Sequence, residues 1–507
     1  MSTVSRGERR IARRLVRWLA ISALVTVPVV GAAGGAAASA DASPVTLRVG
    51  EVTRQDVAPR PGSEPDTVTE PDVAVSPVNR AIAIAAAHDG RYPDGGAVTI
   101  SIAWTRNAGV TWRHAPVRGI TAATGGPYER ASDPVVAFGP DGTAYLSVLL
   151  IDVSDCRTAV AVLRSGDGGE TWSSPRYVHQ SSSCDLGDDK SWLVVDTSPA
   201  SPHFGRLYQF WTLFLSSGAD FLGAPQVVRW SDDRGLTWSA TSSVTAQDHD
   251  TQNSQPMILA NGTIVDTYYD YGDTGVRPDL APGAGSESPR LAQRRSQSVT
   301  PNAITPGVPI FATRSTDGGQ TWQPPVKVVS SAVDTLADVR CCLFAADIDQ
   351  VTKVMYVAWL DAGGPGDSDP ALISSSRDGV LWSAPVPVSK GDRDGVQRVN
   401  IDVVELDGDV YVSYGTRTQA SSNGGFVQQQ LSVSHDRGRT FASPLSIGPR
   451  SVLQYAAQAG GYFPGDYIGA AIAPGFLYLV WASSSRPPTS SASPYHQVIN
   501  GATLVVF

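Results

Sequence analysis

The chain is poor in the residues that build metal and redox centres. Among 507 residues there are only 4 cysteines and 7 histidines, and no Cys or His pair has the spacing of a metal-binding motif. Cys156 and Cys184 can form one disulfide in an oxidising compartment. The adjacent Cys341 and Cys342 are either a vicinal disulfide or two thiols on opposite faces of a strand. We therefore expect no metal ion and no cofactor.

Charged residues are also scarce. Asp, Glu, Lys and Arg make up 17% of the chain, the formal net charge is −9, and no basic stripe follows the first forty residues. A nucleic-acid partner would require such a basic surface, so we expect none. Phosphate loops, a dinucleotide fingerprint and a Ser-His-Asp set are missing as well.

Long apolar runs are missing except at the N-terminus. Six arginines between Arg6 and Arg17 precede an apolar run from Trp18 to Val30, and small residues follow up to Ala40. This order predicts a signal peptide, residues 1–40, exported by the Sec route or, given the Arg pair at 13–14, by the twin-arginine route. An uncleaved anchor is the alternative. We therefore expect a monomer that is secreted or associated with the cell wall, with no transmembrane span after cleavage.

Glycine, proline and a repeated motif are what the chain has in abundance. Its 49 Gly and 36 Pro favour short strands and turns over helices. The stretch RSTDGGQTWQ, residues 314–323, has five relatives with the pattern S-x-D-x-G-x-T-W, which begin at Thr105, Ser165, Ser231, Ser375 and Ser434. In the copy at Ser375, Arg377 holds the Asp position and Leu381 the Thr position.

Each copy lies inside a larger unit of four strands. An apolar strand such as DPVVAF is followed by an Asp-Gly or Asn-Gly turn, a second strand, a third that leads into the motif, and a fourth. Tandem units of four antiparallel strands predict an all-β fold, a β-propeller. The motif then forms the turn between the third and fourth strands, where Asp and Ser hold the backbone, Gly allows a positive φ, and Trp packs between adjacent sheets. Six copies around a ring cannot all serve one active site, so the motif is predicted to be structural.

The number of blades depends on the two ends of the chain. Six copies favour six blades, but segments 465–472, 476–483 and 496–507 resemble three strands of a further unit. The segment from Val45 to Thr53 can supply its fourth strand, which closes the ring and leaves no open edge. Seven blades are therefore favoured, with six as the alternative. The predicted organisation is a signal peptide (1–40), a closing strand and linker (41–69) and a propeller (70–507) with a loop insertion at 272–307.

The repeated motif resembles the Asp-box (BNR) repeat, and residues 70–507 resemble the sialidase superfamily. This resemblance implies a sialidase-like propeller in which three arginines grip the substrate carboxylate, a Tyr activated by a Glu is the nucleophile, and an Asp is the acid/base. Boxes indicate architecture rather than activity. Glu70-Pro71-Asp72 stands where the resemblance implies an Arg-Ile-Pro motif, and the middle blade lacks the implied Glu and Arg. The loop with Arg91 and Asp94 resembles the loop that carries the acid/base.

Polar residues begin the first strand of nearly every unit, and in this architecture those positions line the mouth of the central channel. The predicted catalytic residues are Glu70, Asp94, Asp133, Asp466 and Tyr467, with Tyr467 as nucleophile or stacking residue. The predicted substrate-binding residues are Arg91, Arg130, Asp189, Lys190, Gln255, Arg340, Arg398 and Asn400. Of these, Arg130, Arg340 and Arg398 are the candidates to bind an anion together. The alternative is that these residues only start strands and cap solvated loops. His88 and His203 are isolated in the sequence.

Three functional hypotheses follow from these features. The favoured one is a secreted, sialidase-like glycoside hydrolase that acts on extracellular glycans at the channel mouth. The second is a non-catalytic propeller that binds an extracellular glycan or protein, since the Arg-Ile-Pro motif is absent. The third is a polysaccharide lyase, which would need a basic Tyr or His beside arginines.

Overall fold

A computed structural model describes residues 45–274, 307–332, 336, 338–361, 369–389, 396–418 and 424–506. These residues form 31 strands and only two short 3-10 helices, Ala122–Thr124 and Leu453–Tyr455, which confirms the all-β prediction. None of the helices in this part of the chain has the length and apolar character needed to cross a membrane. The predicted signal peptide and most of the predicted insertion lie outside the described residues.

Groups of four antiparallel strands follow one another along the chain, and we call them units 1 to 7. They are preceded by β1, Val45–Thr53. Unit 1 consists of β2 (Val68–Val75), β3 (Ala83–Arg91), β4 (Ala97–Thr105) and β5 (Arg113–Pro116). Unit 2 consists of β6 (Arg130–Phe138), β7 (Ala144–Ile151), β8 (Thr158–Ser165) and β9 (Arg176–Ser181). Unit 3 consists of β10 (Leu186–Val195), β11 (Leu207–Ser217), β13 (Gln226–Ser231) and β14 (Ser242–Ser243), with β12 (Asp220–Gly223) added beside β11.

The later units repeat this plan. Unit 4 consists of β15 (His249–Ile258), β16 (Ile264–Asp273), β17 (Val308–Ser315) and β18 (Val326–Ala332). Unit 5 consists of β19 (Ala345–Ile348), β20 (Met355–Leu360), β21 (Ala371–Ser376) and β22 (Val386–Pro387). Unit 6 consists of β23 (Val396–Leu406), β24 (Asp409–Thr418), β25 (Phe426–Ser434) and β26 (Leu445–Val452). A small ladder of β27 (Ala457–Gln458) and β28 (Tyr462–Phe463) then precedes unit 7, which consists of β29 (Gly469–Ala473), β30 (Phe476–Ser484), β31 (Gln497–Val505) and β1.

The first strands of the units pack against one another in chain order. β2 contacts β6, β6 contacts β10, and the series continues through β15, β19 and β23 to β29, which contacts β2 again. β1 pairs antiparallel with β31, from Val45 opposite Val505 to Thr53 opposite Ile499, which is the pairing predicted for the two ends of the chain. Units 1 and 2 are also joined through one residue pair, Ala97 and Ala131.

Each sheet is covered on both faces, which explains why many strands lack an alternation of apolar and polar residues. All nine residues of β4, AVTISIAWT, are buried. One core cluster joins Tyr356 of unit 5 to Val403 of unit 6, and the next joins Val404 of unit 6 to Leu479 of unit 7. Neighbouring residues of one strand therefore pack against the two neighbouring units.

The Asp-box turns lie between third and fourth strands, as predicted. Trp322, in the turn after β17, packs its ring edge-on against Phe210 of the preceding unit, with 6.0 Å between ring centroids. The interpretation of the fifth copy was wrong by one residue. Asp378, and not Arg377, is the acid of that turn, because its Oδ1 accepts from Ser376 Oγ at 3.2 Å and from the Leu381 N–H at 2.9 Å. This turn is one residue shorter than the others.

The four cysteines form two disulfides, Cys156–Cys184 and Cys341–Cys342. The first links the loop after β7 to the loop before β10. The second lies just before β19. The adjacent cysteines therefore form a vicinal disulfide and are not two thiols on opposite faces of a strand.

Candidate functional site

Five of the first strands are interrupted by a β-bulge at the same place. The ladder register shifts there in β2, β6, β10, β15 and β23. At each shift one residue has a left-handed backbone: Glu70 (φ 52°), Asp133 (φ 45°), Lys190 (φ 41°), Asn253 (φ 61°) and Asn400 (φ 52°). A left-handed conformation costs a residue with a Cβ roughly 1–2 kcal/mol, and such strain is concentrated at functional sites. Bulges also re-aim side chains, so five units place chemically different side chains from equivalent backbone positions.

The two remaining units have a different local structure at this position, a glycine in unit 7 and a vicinal disulfide in unit 5. In unit 7, Gly465 (φ 102°) precedes Asp466 and Tyr467. A Cβ at Gly465 would lie 2.9 Å from the backbone nitrogen of Glu70, so only glycine lets this segment approach unit 1. In unit 5 the Cys341–Cys342 disulfide follows Arg340, and Cys342 Sγ lies 3.5 Å from the backbone nitrogen of Asn400.

The centre of the site is a buried cluster of Glu70, His88 and Asp133. His88 Nε2 lies 2.9 Å from Glu70 Oε2 and 3.0 Å from the backbone nitrogen of Asp133. One side-chain atom of each residue lies within 4.8 Å of the other two. Ser132 Oγ is a further neighbour of His88 Nε2, at 3.2 Å, so three polar groups converge on this nitrogen.

His88 is a residue of the cluster that the sequence analysis did not place in the site. It lies on β3, whose nine residues are all buried, and there it looked like an isolated core histidine. Its place in the site follows from the register of β3 with β2, which sets His88 opposite Thr69, next to Glu70. Thr69 Oγ1 also hydrogen-bonds His88 Nδ1 at 3.3 Å. No local sequence signal reveals that register.

The two carboxyl groups of the cluster have opposite protonation tendencies. Burial raises the pKa of Glu70, but the charge and hydrogen bond of His88 outweigh burial and bring that pKa down to about 2. Burial raises the pKa of Asp133 well above its usual range, and the nearby charge of Glu70 raises it further. The environment therefore favours the ionised form of Glu70 and the protonated form of Asp133.

Lys190 and Tyr467 form the next layer of the site. Lys190 Nζ lies 3.6 Å from the centroid of the Tyr467 ring and 4.7 Å from that of Trp192. The backbone N–H of Lys190 donates to Asp133 Oδ2 at 3.1 Å, which ties this layer to the cluster. Burial lowers the pKa of Lys190, against the opposing charges of nearby acids. Burial raises the pKa of Tyr467 well above its usual range, so its phenol is neutral.

The three arginines expected to bind an anion together contact different groups. Arg130 is 2.7 Å from Asp94, Arg340 is 3.5 Å from Asp466, and Arg398 lies over the Tyr414 ring at 5.5 Å. Arg91 is the arginine that stands with Arg340, since both guanidinium groups lie over the Phe463 ring, at 4.4 and 5.9 Å. The Arg340 side chain is 42% exposed and marks the solvent side of the site.

The other predicted residues occupy the surroundings of the cluster. Asp189 accepts from the Gln252 amide at 3.0 Å and from the Lys190 N–H at 2.9 Å. Gln255 donates to Asn253 at 3.4 Å, and Asn400 donates to the Gly465 carbonyl at 3.1 Å. Asp94, predicted to be catalytic, contacts Arg130 and makes no contact with Glu70 or Asp133 in the described structure.

Comparison with known proteins bears on the repeat. Residues 313–324 match the model of the BNR/Asp-box repeat, which confirms the Asp-box interpretation of this turn. No curated protein matches the sequence.

Similar solved structures have low sequence identity. A protein of unknown function from Dyadobacter fermentans is 14% identical, with 90% of this chain and 99% of that chain covered and a TM-score of 0.46. The α-L-arabinofuranosidase of Fusarium graminearum, solved with an iminosugar inhibitor, is 13% identical, with 77% and 98% covered and a TM-score of 0.46. The leech intramolecular trans-sialidase, solved with 2,7-anhydro-Neu5Ac, is 12% identical, with 80% and 70% covered and a TM-score of 0.45. These similarities are too distant to assign an activity.

Proposed function

We propose that the protein is a glycoside hydrolase that cleaves extracellular glycans at Glu70 and Asp133. The observation that carries this proposal is a pair of carboxyl groups, with oxygens within 4.8 Å of each other, whose pKa values are driven in opposite directions. Most glycoside hydrolases need one ionised and one protonated carboxyl group beside the scissile bond. Environments that separate the pKa values of two such groups assign the two roles.

We infer that units 1 to 7 are the blades of a seven-bladed β-propeller. The cyclic contacts of the first strands and the pairing of β1 with β31 support this inference. In a propeller, first strands surround the central axis. The bulged residues of five blades would then face one channel mouth, where a substrate can be reached from several blades.

The short distance between the carboxyl groups favours a retaining reaction. Retaining enzymes hold the two groups about 5–5.5 Å apart, whereas inverting enzymes leave about 6.5–9.5 Å for a water molecule. Glu70, ionised, attacks the anomeric carbon while the glycosidic C–O bond breaks. Asp133 gives its proton to the leaving oxygen and then takes one from the water that hydrolyses the glycosyl–Glu70 ester. His88 keeps Glu70 ionised, and the Lys190 N–H holds Asp133 in place.

Export is part of the proposal. The N-terminal order of arginines, apolar run and small residues and the disulfide Cys156–Cys184 support a protein made for an oxidising, extracellular compartment. Detection of the mature chain in the culture medium, beginning at Asp41, tests it. A chain that stays inside the cell with residues 1–40 attached contradicts it.

Turnover of a glycoside panel tests the enzymatic proposal. Purified protein is incubated with exo-linked furanosides, pyranosides and sialosides, and released sugar is measured for wild type, Glu70→Gln and Asp133→Asn. We expect at least one substrate to be cleaved by the wild type and neither variant to retain more than a small fraction of the rate. Absence of turnover across the panel, or turnover that survives both substitutions, contradicts the proposal.

A non-catalytic glycan-binding propeller is the second candidate. It is favoured by the burial of Glu70 and Asp133, which are only 4% and 6% exposed. Binding on a glycan array without any product from the bound sugars would support it. The lyase hypothesis is not favoured, because the raised pKa of Tyr467 keeps this phenol protonated, and a protonated phenol cannot accept the proton of the substrate.

A further inference from the structure

We propose that the sugar bound at this site is uncharged, and that Lys190, Tyr467 and Asn400 bind its hydroxyl groups. This inference rests on the proposed function and names the substrate class of the same site. It excludes sialic acid and uronic acids as preferred ligands. Three observations carry it: the partners of the arginines, the acids around Lys190, and a set of buried polar atoms that lack partners.

The arginines near the site already have partners. Arg130 donates to both oxygens of Asp94, at 2.7 and 3.4 Å, and to the Gly95 carbonyl at 2.8 Å. Arg340 is paired with Asp466. Arg91 donates to the carbonyls of Tyr92 and Gly96. Recognition of a sugar carboxylate depends on a guanidinium whose parallel N–H groups are open to it. Contacts with the protein occupy both terminal nitrogens of Arg130. They occupy part of the guanidinium group in Arg340 and in Arg91, whose buried Nε has no partner among the described residues.

The charge of Glu70 also disfavours an anion at this site. The acids near the Lys190 ammonium group are Glu70, Asp466, Asp72 and Asp133, whose raised pKa favours its neutral form. Glu70 is ionised, with a pKa of about 2. A carboxylate brought beside Glu70 would add a second negative charge in a buried place, where like charges strongly disfavour each other. An uncharged hydroxyl group meets no such repulsion.

Three buried polar atoms that can bind a sugar hydroxyl have no hydrogen-bond partner among the described residues: Lys190 Nζ, Tyr467 Oη and Asn400 Oδ1. Their residues are 5%, 5% and 2% exposed. Lys190 Nζ lies over the Tyr467 ring, and Asn400 is bonded through its amide nitrogen to Gly465, two residues before Tyr467. Buried polar groups are nearly always satisfied, and a ligand is the natural partner here.

The chemistry of the three atoms matches hydroxyl groups. Lys190 Nζ only donates, Asn400 Oδ1 only accepts, and Tyr467 Oη does both. A sugar hydroxyl accepts from Lys190 and donates to Asn400 in the same ligand. A carboxylate cannot donate to Asn400 Oδ1, so the ligand group at that atom is a hydroxyl.

Matched ligands in an inactive variant test the inference. Asp133→Asn replaces the protonated acid by an isosteric neutral amide and keeps the charge of Glu70, so ligands bind without being consumed. Calorimetry measures the affinity of this variant for two uncharged sugars, methyl galactoside and methyl arabinofuranoside. It also measures the affinity for two charged sugars, methyl galacturonide and a methyl sialoside. We expect an uncharged sugar to bind at least about tenfold more tightly than the galacturonide and the sialoside, the discrimination that one unpaired buried group produces.

Double variants measure how much Lys190, Tyr467 and Asp466 each contribute to sugar binding. On the Asp133→Asn background, Lys190→Met and Tyr467→Phe should each weaken binding of the uncharged sugar by about tenfold. Asp466→Asn leaves Arg340 without its acidic partner. This substitution should therefore reduce the ratio between the affinity for the uncharged sugar and the affinity for the galacturonide. Circular dichroism and melting curves confirm that each variant is folded.

Two outcomes overturn the inference: a galacturonide or sialoside that binds as tightly as the uncharged sugars, or no binding of any sugar. Unchanged affinity in both the Lys190 and the Tyr467 variants overturns the assigned contacts. Binding of an uncharged sugar with no turnover by the wild type leaves this inference standing and contradicts the hydrolase instead.

Discussion

The Asp-box turns and the first-strand bulges are both repeated in this chain, but different features are repeated. In the turns the side chains recur. Ser165, Ser231, Ser315 and Ser434 each donate to the Asp two residues on, at 2.7, 2.8, 2.8 and 2.7 Å. In the bulges the left-handed backbone recurs, while the side chain is Glu, Asp, Lys or Asn.

The difference has a physical cause. An Asp-box turn is held by its own side chains, because Asp317 accepts from the N–H and the hydroxyl of Thr321, at 3.0 and 2.6 Å. Loss of the Asp side chain removes several of the bonds that hold the turn. A bulge is held by the backbone hydrogen bonds of the strand ladder on either side of it. The side chain at the bulge is therefore not needed to maintain the backbone and can differ from unit to unit. Variation at equivalent backbone positions therefore marks function better than repetition does.

The largest expected effect is on catalysis at the bulges. Asp133→Asn should lower kcat/KM by roughly 10²–10⁴-fold, the contribution of a general acid/base. Thr321→Ala in a turn should leave kcat/KM nearly unchanged. Steady-state kinetics on the best substrate of the panel measure both, and equal effects of the two substitutions would remove the functional distinction between turns and bulges.

The next effect is on the stability of the turns. Trp322 is half-buried against Phe210, so Trp322→Ala should lower the free energy of unfolding by about 2–3 kcal/mol, less than the 3–5 kcal/mol typical of a fully buried Trp. Denaturant unfolding measures this, with Gln323→Ala in the same turn as control. A wild-type midpoint for Trp322→Ala would contradict packing between units.

A smaller effect on stability is expected for single Asp substitutions in two equivalent turns. Asp233 and Asp317 make the same set of hydrogen bonds in units 3 and 4. Asp233→Ala and Asp317→Ala should therefore destabilise the protein equally, each by about 1–2 kcal/mol. Lys190→Ala and Asn253→Ala, at equivalent bulges, should differ from each other. Unequal effects at the two turns would break the comparison.

The smallest expected effect is a difference in pH dependence. Burial raises the pKa of Asp317, but hydrogen bonds from Thr321 outweigh it and bring the pKa to about 2. In the first strand, burial raises the pKa of Asp72 to about 7. Since an unfolded Asp has a pKa of about 3.9, Asp317 stabilises the fold above that pH and loses this as pH falls toward 2. Asp72 does the opposite: its native state keeps a proton that the unfolded chain releases, so stability declines as pH rises from about 4 to 7.

Calorimetric melting between pH 2 and 8 tests both signs. Asp72→Asn should flatten the decline of the melting temperature above pH 4, and Asp317→Asn should change the profile only at the acid end. An Asp72→Asn profile parallel to that of the wild type above pH 4 would contradict the raised pKa.

Much of the fold could be predicted because its signals are local. Apolar runs, Asp-Gly and Asn-Gly turns and the S-x-D-x-G-x-T-W pattern placed the strands and turns of successive units, and the pairing of the segment from Val45 to Thr53 followed from an incomplete last unit. The fifth turn was misaligned because its shorter spacing puts Asp378 one residue later. Glu70, Asp133 and Lys190 were predicted as site residues because each lies near the beginning of a first strand. The structure brings these three residues together.

The sequence by itself determined the repeating four-stranded units and the self-contained turns between their strands, because strand propensity and turn hydrogen bonds act over a few residues. Tertiary structure alone decided the site. His88 meets Glu70 through the register of two strands, and Lys190 meets Tyr467 across 277 residues of chain. The protonation of Asp133 and Glu70 depends on burial and on neighbouring charges, and both exist only after distant units have packed together.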